Sequence, residues 1–568
     1  MKRAPDSGRH SPFRLNPARA AIACVFGLSL VAPAFAFQFD TDSTDLKVRW
    51  DNSFKYTAAW RLQNPDPNVT VSFTQPNVDF GDLSHKKGLI NNRVDLLSEL
   101  DVGYKSMGFR VSGAGWYDSV YNRDTTDYPA TGYPPNSVAA VLGGRNNMMN
   151  QAAKDMMGKK GELLDAFVYG TTDIGEQKLT MRAGKHTLLY GESLFLGANA
   201  IAGAQGPVDL IKAFSLPNAQ FKEIAMPVGQ VSGNLSITGD LSIGGYYQYE
   251  WKGLRVPAAG SYFGAADFVG AGSDLLLAPG GPANRLADRK GDDHGQWGVQ
   301  VRIKKGFVDY GLYAGRYHEK GPIPVLDVTV PGAFAGGAYS LAYAKNISFY
   351  GASVSTVVGE TSLAGEISTR RNTPLMPVGD LIVSALHGWD NDRNTPYALG
   401  NTFHMNLSMI NLIPATPMWA GASIVAELAY NRLLGVTRDP LPPPGVPLPD
   451  PLNKTHTRDS TVMRLVFQPE YFQVVSGVDL QVPIGLGYGI SGRSAVIQLI
   501  PEHGGDISIG VNADYQKTWK AGINYTHYYG PTGPAPALPA TGPNGTYASY
   551  QQYYHDRDFI SLSVQRTF

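Results

Sequence analysis

Between residues 46 and 61 apolar and charged side chains take turns. Leu46, Val48, Trp50, Phe54, Tyr56, Ala58 and Trp60 hold even positions, while Lys47, Arg49, Asp51, Lys55 and Arg61 hold odd ones. A period of two sends successive side chains to opposite faces of a strand. The segment therefore predicts one long strand with an apolar face and a charged face, longer than the roughly 9–11 residues a tilted strand needs to cross a bilayer. Val94, Leu96, Leu100, Val102 and Tyr104 repeat the pattern against Asp95, Glu99 and Asp101. After a turn at 105–108, Phe109, Val111 and Tyr117 oppose Arg110, Ser112 and Asp118. A soluble sandwich rarely charges the second face of successive long strands in this way. Alternation returns at 241–251, 297–303, 308–312, 422–430, 478–488, 507–515, 519–525 and 560–568.

The connections alternate in length. Short turns fall at 173–177, 238–240, 304–306, 358–360 and 516–518, whereas 122–160, 253–293, 319–346, 371–400, 433–459 and 530–557 are long and rich in Gly, Pro and Asn. Short turns at one end and long loops at the other mark a bacterial membrane barrel. The expected fold is all-β, a transmembrane antiparallel up-and-down barrel of about 18 strands, with about 16 as the alternative count. Residues 187–229 break the pattern, mixing apolar residues with Pro207, Pro217 and Pro227. A connection of that length in a barrel is expected to fold into the lumen as a constriction or hatch. Residues 145–160 place Met148, Met149, Met156 and Met157 around Gln151–Lys154, which predicts a short helix in a loop. It either packs on its own loop or offers an adaptable apolar surface to a lipid-like ligand, with a thioether copper site as a third alternative.

The ends of the chain set its compartment. Arg9, Arg14 and Arg19 precede an apolar run from Ala20 to Ala32, and Ala34-Phe35-Ala36 supplies small residues for a signal peptidase. The expectation is a signal peptide at 1–36 cleaved after Ala36, leaving a single barrel at 37–568 in the outer membrane of a Gram-negative bacterium. At the other end Ile560, Leu562, Val564 and Phe568 share one parity, and the terminal Phe568 is the signal expected to engage the barrel-assembly machinery. Outer-membrane lipids and lipopolysaccharide would surround the wall. No later stretch supplies the ~20 apolar residues of a membrane helix, so a membrane location requires a closed barrel.

Composition narrows the chemistry. Gly 64, Tyr 30 and 43% hydrophobic residues suit a wall apolar on one side only. The one cysteine, Cys24, lies inside the signal's apolar core, which continues beyond it, against lipidation. Removing the signal's five basic residues and one acid leaves 43 basic against 47 acidic, a net charge of −4 and no footprint for nucleic acid. His318-Glu319 is followed by Pro322 where a zinc-protease motif requires histidine, and neither a nucleophile elbow nor a phosphate loop occurs. Neither cofactor nor metal nor enzymatic activity is predicted, although a Ser–His pair assembled on the wall would be set by geometry alone. Lys47, Arg49, Asp95, Glu99, Asp101, Arg110, Asp118 and Arg182 are read as inward wall charges, mostly a mixed network that solvates the lumen, with a minority shaping selectivity. The Pro-rich tract 440–447 reads as a stiff surface loop.

At 179–227 the chain carries Leu179-Thr180-Met181-Arg182-Ala183-Gly184-Lys185, Tyr190-Gly191-Glu192-Ser193, Pro207-Val208-Asp209, Leu216-Pro217 and Lys222 through Pro227. With Tyr246–Trp251, Gly365-Glu366-Ile367-Ser368-Thr369-Arg370-Arg371-Asn372 and Gly477–Pro483, these segments resemble the barrel family catalogued as domain of unknown function 1302. Tyr190 departs from the tryptophan usual before the family's Gly-Glu pair, and Arg566 stands where an apolar outward residue is expected. The resemblance implies a porin-like outer-membrane protein, often encoded beside a periplasmic partner and an inner-membrane exporter of the resistance-nodulation-division type. By analogy with long-chain fatty-acid channels, such a barrel captures an apolar molecule among its loops and releases it past a plug. The expected function is passive uptake of a hydrophobic or amphipathic molecule such as a fatty acid, sterol, sphingoid base or aromatic. Segment 187–229 would be the gate, with Arg182 and Lys185 beside it, Tyr190, Glu192, Asp209, Lys222 and Glu223 as polar contacts and Met226-Pro227 as exit. Export of a lipid-like product with a periplasmic partner, and a purely structural or binding barrel, are the alternatives.

Overall fold

The computed structural model describes residues 37–39, 43–70, 76–131, 137–141, 147–216, 218–278, 281–330, 337–377, 381–441, 451–534 and 550–568. The signal segment and most of the Pro-rich tract lie outside these residues. Eighteen antiparallel wall positions close into one barrel. In chain order they are β1 (Leu46–Arg61), β2 (Gly88–Tyr104), β3 (Met107–Asp118), β4 (Lys159–Ile174), β5 (Gln177–His186) and β6 (Val228–Ser236). Next come β7 (Leu241–Gln248), β8 (Gln296–Lys305), β9 (Val308–Tyr317), β10 (Ile347–Val358), β11 (Thr361–Pro374) and β12 (Leu399–Ile413). The last are β13 (Gly421–Arg438), β14 (Asp459–Val475), β15 (Val478–Gln481 with Ile484–Ser491), β16 (Gly505–Tyr515), β17 (Trp519–Tyr529) and β18 (Phe559–Thr567). β15 is interrupted because Pro483 has no N–H to donate, but the ladder continues through Gly510 N–H to the Pro483 carbonyl at 3.0 Å.

Closure pairs β18 with β1, from Phe559 opposite Arg61 to Thr567 opposite Ser53. Phe568 and Asn52 then exchange main-chain bonds of 2.8 Å, and Phe37–Phe39 continue the edge by pairing with Val48–Trp50. Among the described residues no sheet edge remains open in the wall, which is what a strand structure in lipid requires. Leu96, Val168, Val299, Leu312, Ile367, Leu407, Ile509 and Ile523 are exposed on the outer face, as lipid-facing residues must be. Arg566 also faces outward, and its guanidinium lies over Trp519 and Phe568 at 5.3 and 5.9 Å, so the aromatic belt absorbs the cation.

One end carries tight connections, from 105–106 to 414–420. The other carries long ones, from 492–504 to 249–295. Gly175 (φ 64°) and Gly359 (φ 58°) supply the left-handed backbone that two such turns demand. The alternation also holds where the sequence signal had been missed, at the long connections 62–87 and 492–504. Loops expected from 371 and 433 begin later, because β11 runs to Pro374 and β13 to Arg438. Register shifts between Arg370 and Thr373 and between Asn401 and Thr402 interrupt the parity there.

The long loops build a folded cap. Five short strands, Leu275–Ala278, Gly281–Arg285, Ile323–Asp327, Ala338–Ala342 and Ile382–Ser384, form a second, mixed sheet around Phe268, Leu276, Leu326, Tyr339 and Leu341. Elsewhere in the cap, Arg61 at the top of β1 pairs with Asp82 at 2.6 Å and Asp556 at 2.8 Å, and Arg557 lies 3.5 Å from Asp82. All four side chains are essentially inaccessible to solvent, so charges from three chain segments neutralise one another inside the cap. The helix read around Gln151 is present at Gln151–Ala153, and Met149 and Met157 pack with Val120, Tyr121 and Ala258, inside the loops themselves.

Candidate functional site

The connection from β5 to β6, residues 187–227, folds into the barrel, and Val228 and Gly229 already belong to β6. Its first arm lies against β10–β13. Glu427 on β13 accepts main-chain N–H bonds from Leu194 (3.1 Å), Phe195 (2.5 Å) and Leu196 (2.8 Å), and also bonds from Ser193 Oγ and Asn406 Nδ2, both 2.7 Å. Glu366 on β11 accepts from the N–H groups of Glu192 (2.5 Å) and Ile201 (2.7 Å). Four residues along the same lumenal face, Arg370 donates to the carbonyls of Ala198, Asn199 and Ala200 at 3.3, 2.9 and 2.7 Å. Asn199 is gripped in turn by His404 and Asn406. Anions thus hold the loop's N–H groups and a cation holds its carbonyls, with each wall charge buried. Gly191 (φ 89°) is required where this arm turns, because a Cβ there would overlap the Glu366 carboxylate.

The second arm crosses the lumen. Asp209 caps the helix Leu210–Ser215 through Lys212 N–H (3.1 Å) and pairs with Arg255 at 2.7 Å, while Arg255 also grips Glu162 on β4. Asn218 reaches the far wall, accepting from Arg464 Nη2 on β14 (3.1 Å) and Ser508 Oγ on β16 (3.2 Å). The helix Phe221–Ile224 returns to β6, with Phe221 and Ile224 buried beside Ala202 and Val208.

The residues expected at the gate separate into different roles. Tyr190 is buried between the rings of Tyr246 and Tyr313, 5.6 and 6.0 Å away, and its main-chain N–H donates to Gln205. Glu192 pairs with Arg302 of β8 at 3.1 Å. Lys222 is exposed, and Glu223 closes its own helix by accepting from Gln220 N–H at 2.6 Å rather than contacting the lumen wall. Met226 and Pro227 are buried at the long-loop end of β6, with Met226 N–H bonded to the Pro207 carbonyl at 2.8 Å, which places them away from any exit at the short-turn end. Arg182 lies over Phe167 at 5.8 Å and Lys185 donates to the Leu163 carbonyl, both on the wall rather than the hatch.

The hatch's wall bonds go to β7, β8, β10–β14 and β16. Of the inward charges of β1–β4, Glu162 is tied to the hatch through Arg255, while others pair on the wall: Arg49 with Asp51 (2.6 Å), Arg93 with Asp95 (2.5 Å), and Arg110 with Glu99 (2.5 Å) and Asp165 (3.8 Å). Asp101 accepts from Tyr169 OH at 2.9 Å, and Lys47 is exposed. These side chains keep partial access to solvent, in contrast to the buried anchors opposite. Asp118 departs from the wall-charge expectation. It is buried at the top of β3, accepting from Asn92 and Val120 N–H groups and Asn91 Nδ2, because it shapes the start of the loop. Sequence reasoning did not single out Glu427, Arg370 or Asn199. Parity assigns Glu427 and Arg370 to the lumenal face, but their partners are main-chain atoms of a distant loop and leave no mark in the local pattern.

Several solved structures align with most of the chain at low identity. Acinetobacter baumannii OccAB3 is 10% identical, with 92% of this chain and 99% of that chain covered and a TM-score of 0.40. The outer membrane channel DcaP of the same organism is 9% identical with 94% and 99% covered and a TM-score of 0.36. Pseudomonas aeruginosa OccK2, solved in complex with glucuronate, is 9% identical with 92% and 98% covered and a TM-score of 0.36. No curated protein sequence matches the chain. The profile of a family described as "Protein of unknown function (DUF1302)" matches residues 17–568, and the chain belongs to that family.

Proposed function

We propose that this protein is an outer-membrane channel through which a hydrophobic or amphipathic small molecule passes by diffusion between the hatch and the wall of β1–β5. The observation that carries the reading is the asymmetry of the lumen. Direct hatch-to-wall bonds lie between β7 and β16 and β4 is reached through Arg255, while among the described residues Arg93, Asp95, Glu99 and Arg110 of β2 and β3 pair on the wall, keep partial access to solvent and make no bond to the hatch. Such a wall supplies a wet route beside a fixed constriction. An amphipathic cargo is favoured by Phe214, the half-buried ring by which the hatch helix meets the buried cluster of Phe263, Tyr554 and Phe559. Phe568 would present the closing strand to the assembly machinery. Coupling to a periplasmic partner and an inner-membrane exporter is the alternative use of the same barrel.

Single-channel recording in planar bilayers tests the reading, with the intact protein compared with a variant lacking residues 190–224. A small conductance that rises on deletion is expected. Identical conductance in the two proteins would remove the hatch from the passage, and a sealed barrel in both would remove the channel.

A further inference from the structure

At the long-loop end of the wall, Gln230 on β6, Gln248 on β7 and Gln296 on β8 stand opposite one another in a single row, and all three are buried. The hatch lies against this row. Gln248 Nε2 donates to the Gln205 carbonyl at 2.5 Å, and Gln205 Oε1 accepts from Tyr190 N–H at 2.5 Å. Gln296 Oε1 accepts from His318 N–H at 3.2 Å and from Lys320 Nζ at 3.4 Å. These bonds fix both amide orientations, so the Nε2 groups of Gln205 and Gln296 are left as donors. Both are buried without a hydrogen-bond partner, as is the hydroxyl of Tyr246, whose ring lies against Tyr190.

Lys320, just beyond β9, completes the cluster. It is 4% exposed, and its ammonium meets neutral groups: the carbonyls of His318 (3.1 Å) and Ala204 (3.5 Å), Gln296 Oε1, and the Tyr317 ring at 5.2 Å. Among the described residues no carboxylate pairs with it, and the neighbouring Glu319 turns Oε1 to the N–H groups of Lys320 and Gly321 instead. Burial lowers Lys320 to about 8, so the charged form still prevails at pH 7. In the cap, the orphaned atoms of Asp82, Asp556 and Arg557 are acceptors and donors together, a mixture that water satisfies. Behind the hatch, orphaned donors surround a cation with no counter-ion, which calls for an acceptor that carries negative charge.

We infer that this cluster binds a small monovalent anion such as chloride, bridging Gln205 of the hatch to Gln296 and Lys320 of the wall. The assignment does not depend on what the barrel conducts. The ion holds hatch residues 204–205 against β7 and β8, so local opening falls by a factor of one plus the ratio of anion concentration to dissociation constant. That factor is about tenfold at about 100 mM anion and a dissociation constant of about 10 mM.

The test follows proteinase K cleavage at 197–206 in the full-length protein in detergent, with sodium chloride or the bulkier sodium gluconate at equal ionic strength. Cleavage is expected to be about tenfold slower in chloride. Lys320→Met should be cleaved fast in both salts. Gln296→Glu, which places a carboxylate beside Lys320, should be cleaved slowly in both. Heat-modifiable migration on gels confirms that each variant is a closed barrel. In crystals soaked in sodium bromide, an anomalous peak beside Lys320 and Gln296 is expected for the unaltered protein and none for Lys320→Met. Equal cleavage in the two salts, a chloride effect that survives Lys320→Met, or water-level density without an anomalous peak each overturns the site.

Discussion

Removing the Glu427 carboxylate should free the tip of the hatch without unfolding the barrel. Glu427 is 2% exposed and is the shared acceptor for three consecutive main-chain N–H groups, those of Leu194, Phe195 and Leu196. Truncation to alanine leaves all three buried without a partner. At about 1–3 kcal/mol per unsatisfied donor, Glu427→Ala costs about 3–9 kcal/mol at this one contact. Glu427→Gln keeps the shape but removes charge assistance, and it turns an acceptor toward Asn406 Nδ2 into a donor, so roughly 3 kcal/mol is expected. The wall itself loses no ladder bond, which confines the damage to the hatch. In bilayers Glu427→Ala should show a larger and noisier conductance than the unaltered protein, with Glu427→Gln between them, while heat-modifiable gel migration stays unchanged. A Glu427→Ala channel with unaltered conductance and unaltered protease resistance at 190–201 would refute the anchoring argument.

Gly191→Ala should also loosen the tip, since φ 89° strains a side chain and its Cβ would displace Glu366. About 1–3 kcal/mol is expected, read as faster proteolysis at 190–201. Arg557→Met removes one cation from the buried cluster with Arg61, Asp82 and Asp556. It should cost about 3–5 kcal/mol in the cap, seen as protease cuts in 62–87 and 550–558 with the barrel intact. The cap should also loosen as pH rises. Burial raises Asp79 to about 6 and the adjacent Asp267 well above the ordinary carboxylate range, so the protonated pair's stability is fully present below the ordinary Asp value and is lost as pH climbs through about 6. Protection factors for hydrogen exchange at 77–85 and 261–268, taken against the intrinsic rate at each pH, should be larger at pH 5 than at pH 8, and Asp79→Asn should shrink the difference.

The wall was legible because a membrane barrel imposes two environments on every strand, and parity records them residue by residue. β1 runs from Leu46 to Arg61, the span over which apolar and charged positions alternate. Legibility failed where parity does. The cap's strands are only three to five residues long and partly parallel, and Ile323–Asp327 and Ala338–Ala342 are buried on both faces, so they read as loop. The hatch was visible as a gap in the pattern, but its attachments were not. Glu366 and Arg370 stood inside a motif noted for its family likeness, and that motif carries no sign that one binds N–H groups and the other carbonyls. Glu223 shows the reverse case, a charge in the right segment that serves its own helix.

The two sides of the lumen also differ in how firmly they are held, and this bears on what moves. Glu366, Arg370 and Glu427 are buried and each makes two or more charge-assisted bonds to main-chain atoms, so releasing the hatch tip means breaking several at once. The ion pairs on β2 and β3 have side chains 19–37% exposed, where such a pair contributes about 0–1 kcal/mol. Thermal motion therefore acts first on Arg93, Asp95, Glu99 and Arg110, whose rearrangement needs only rotamer changes. In the proposed channel, a cargo passing beside the bolted hatch would be accommodated through these side chains, and a charged cargo would compete directly for their pairs. On that reading the tip of the hatch would fix the width of the route, and the opposite wall would decide what enters it.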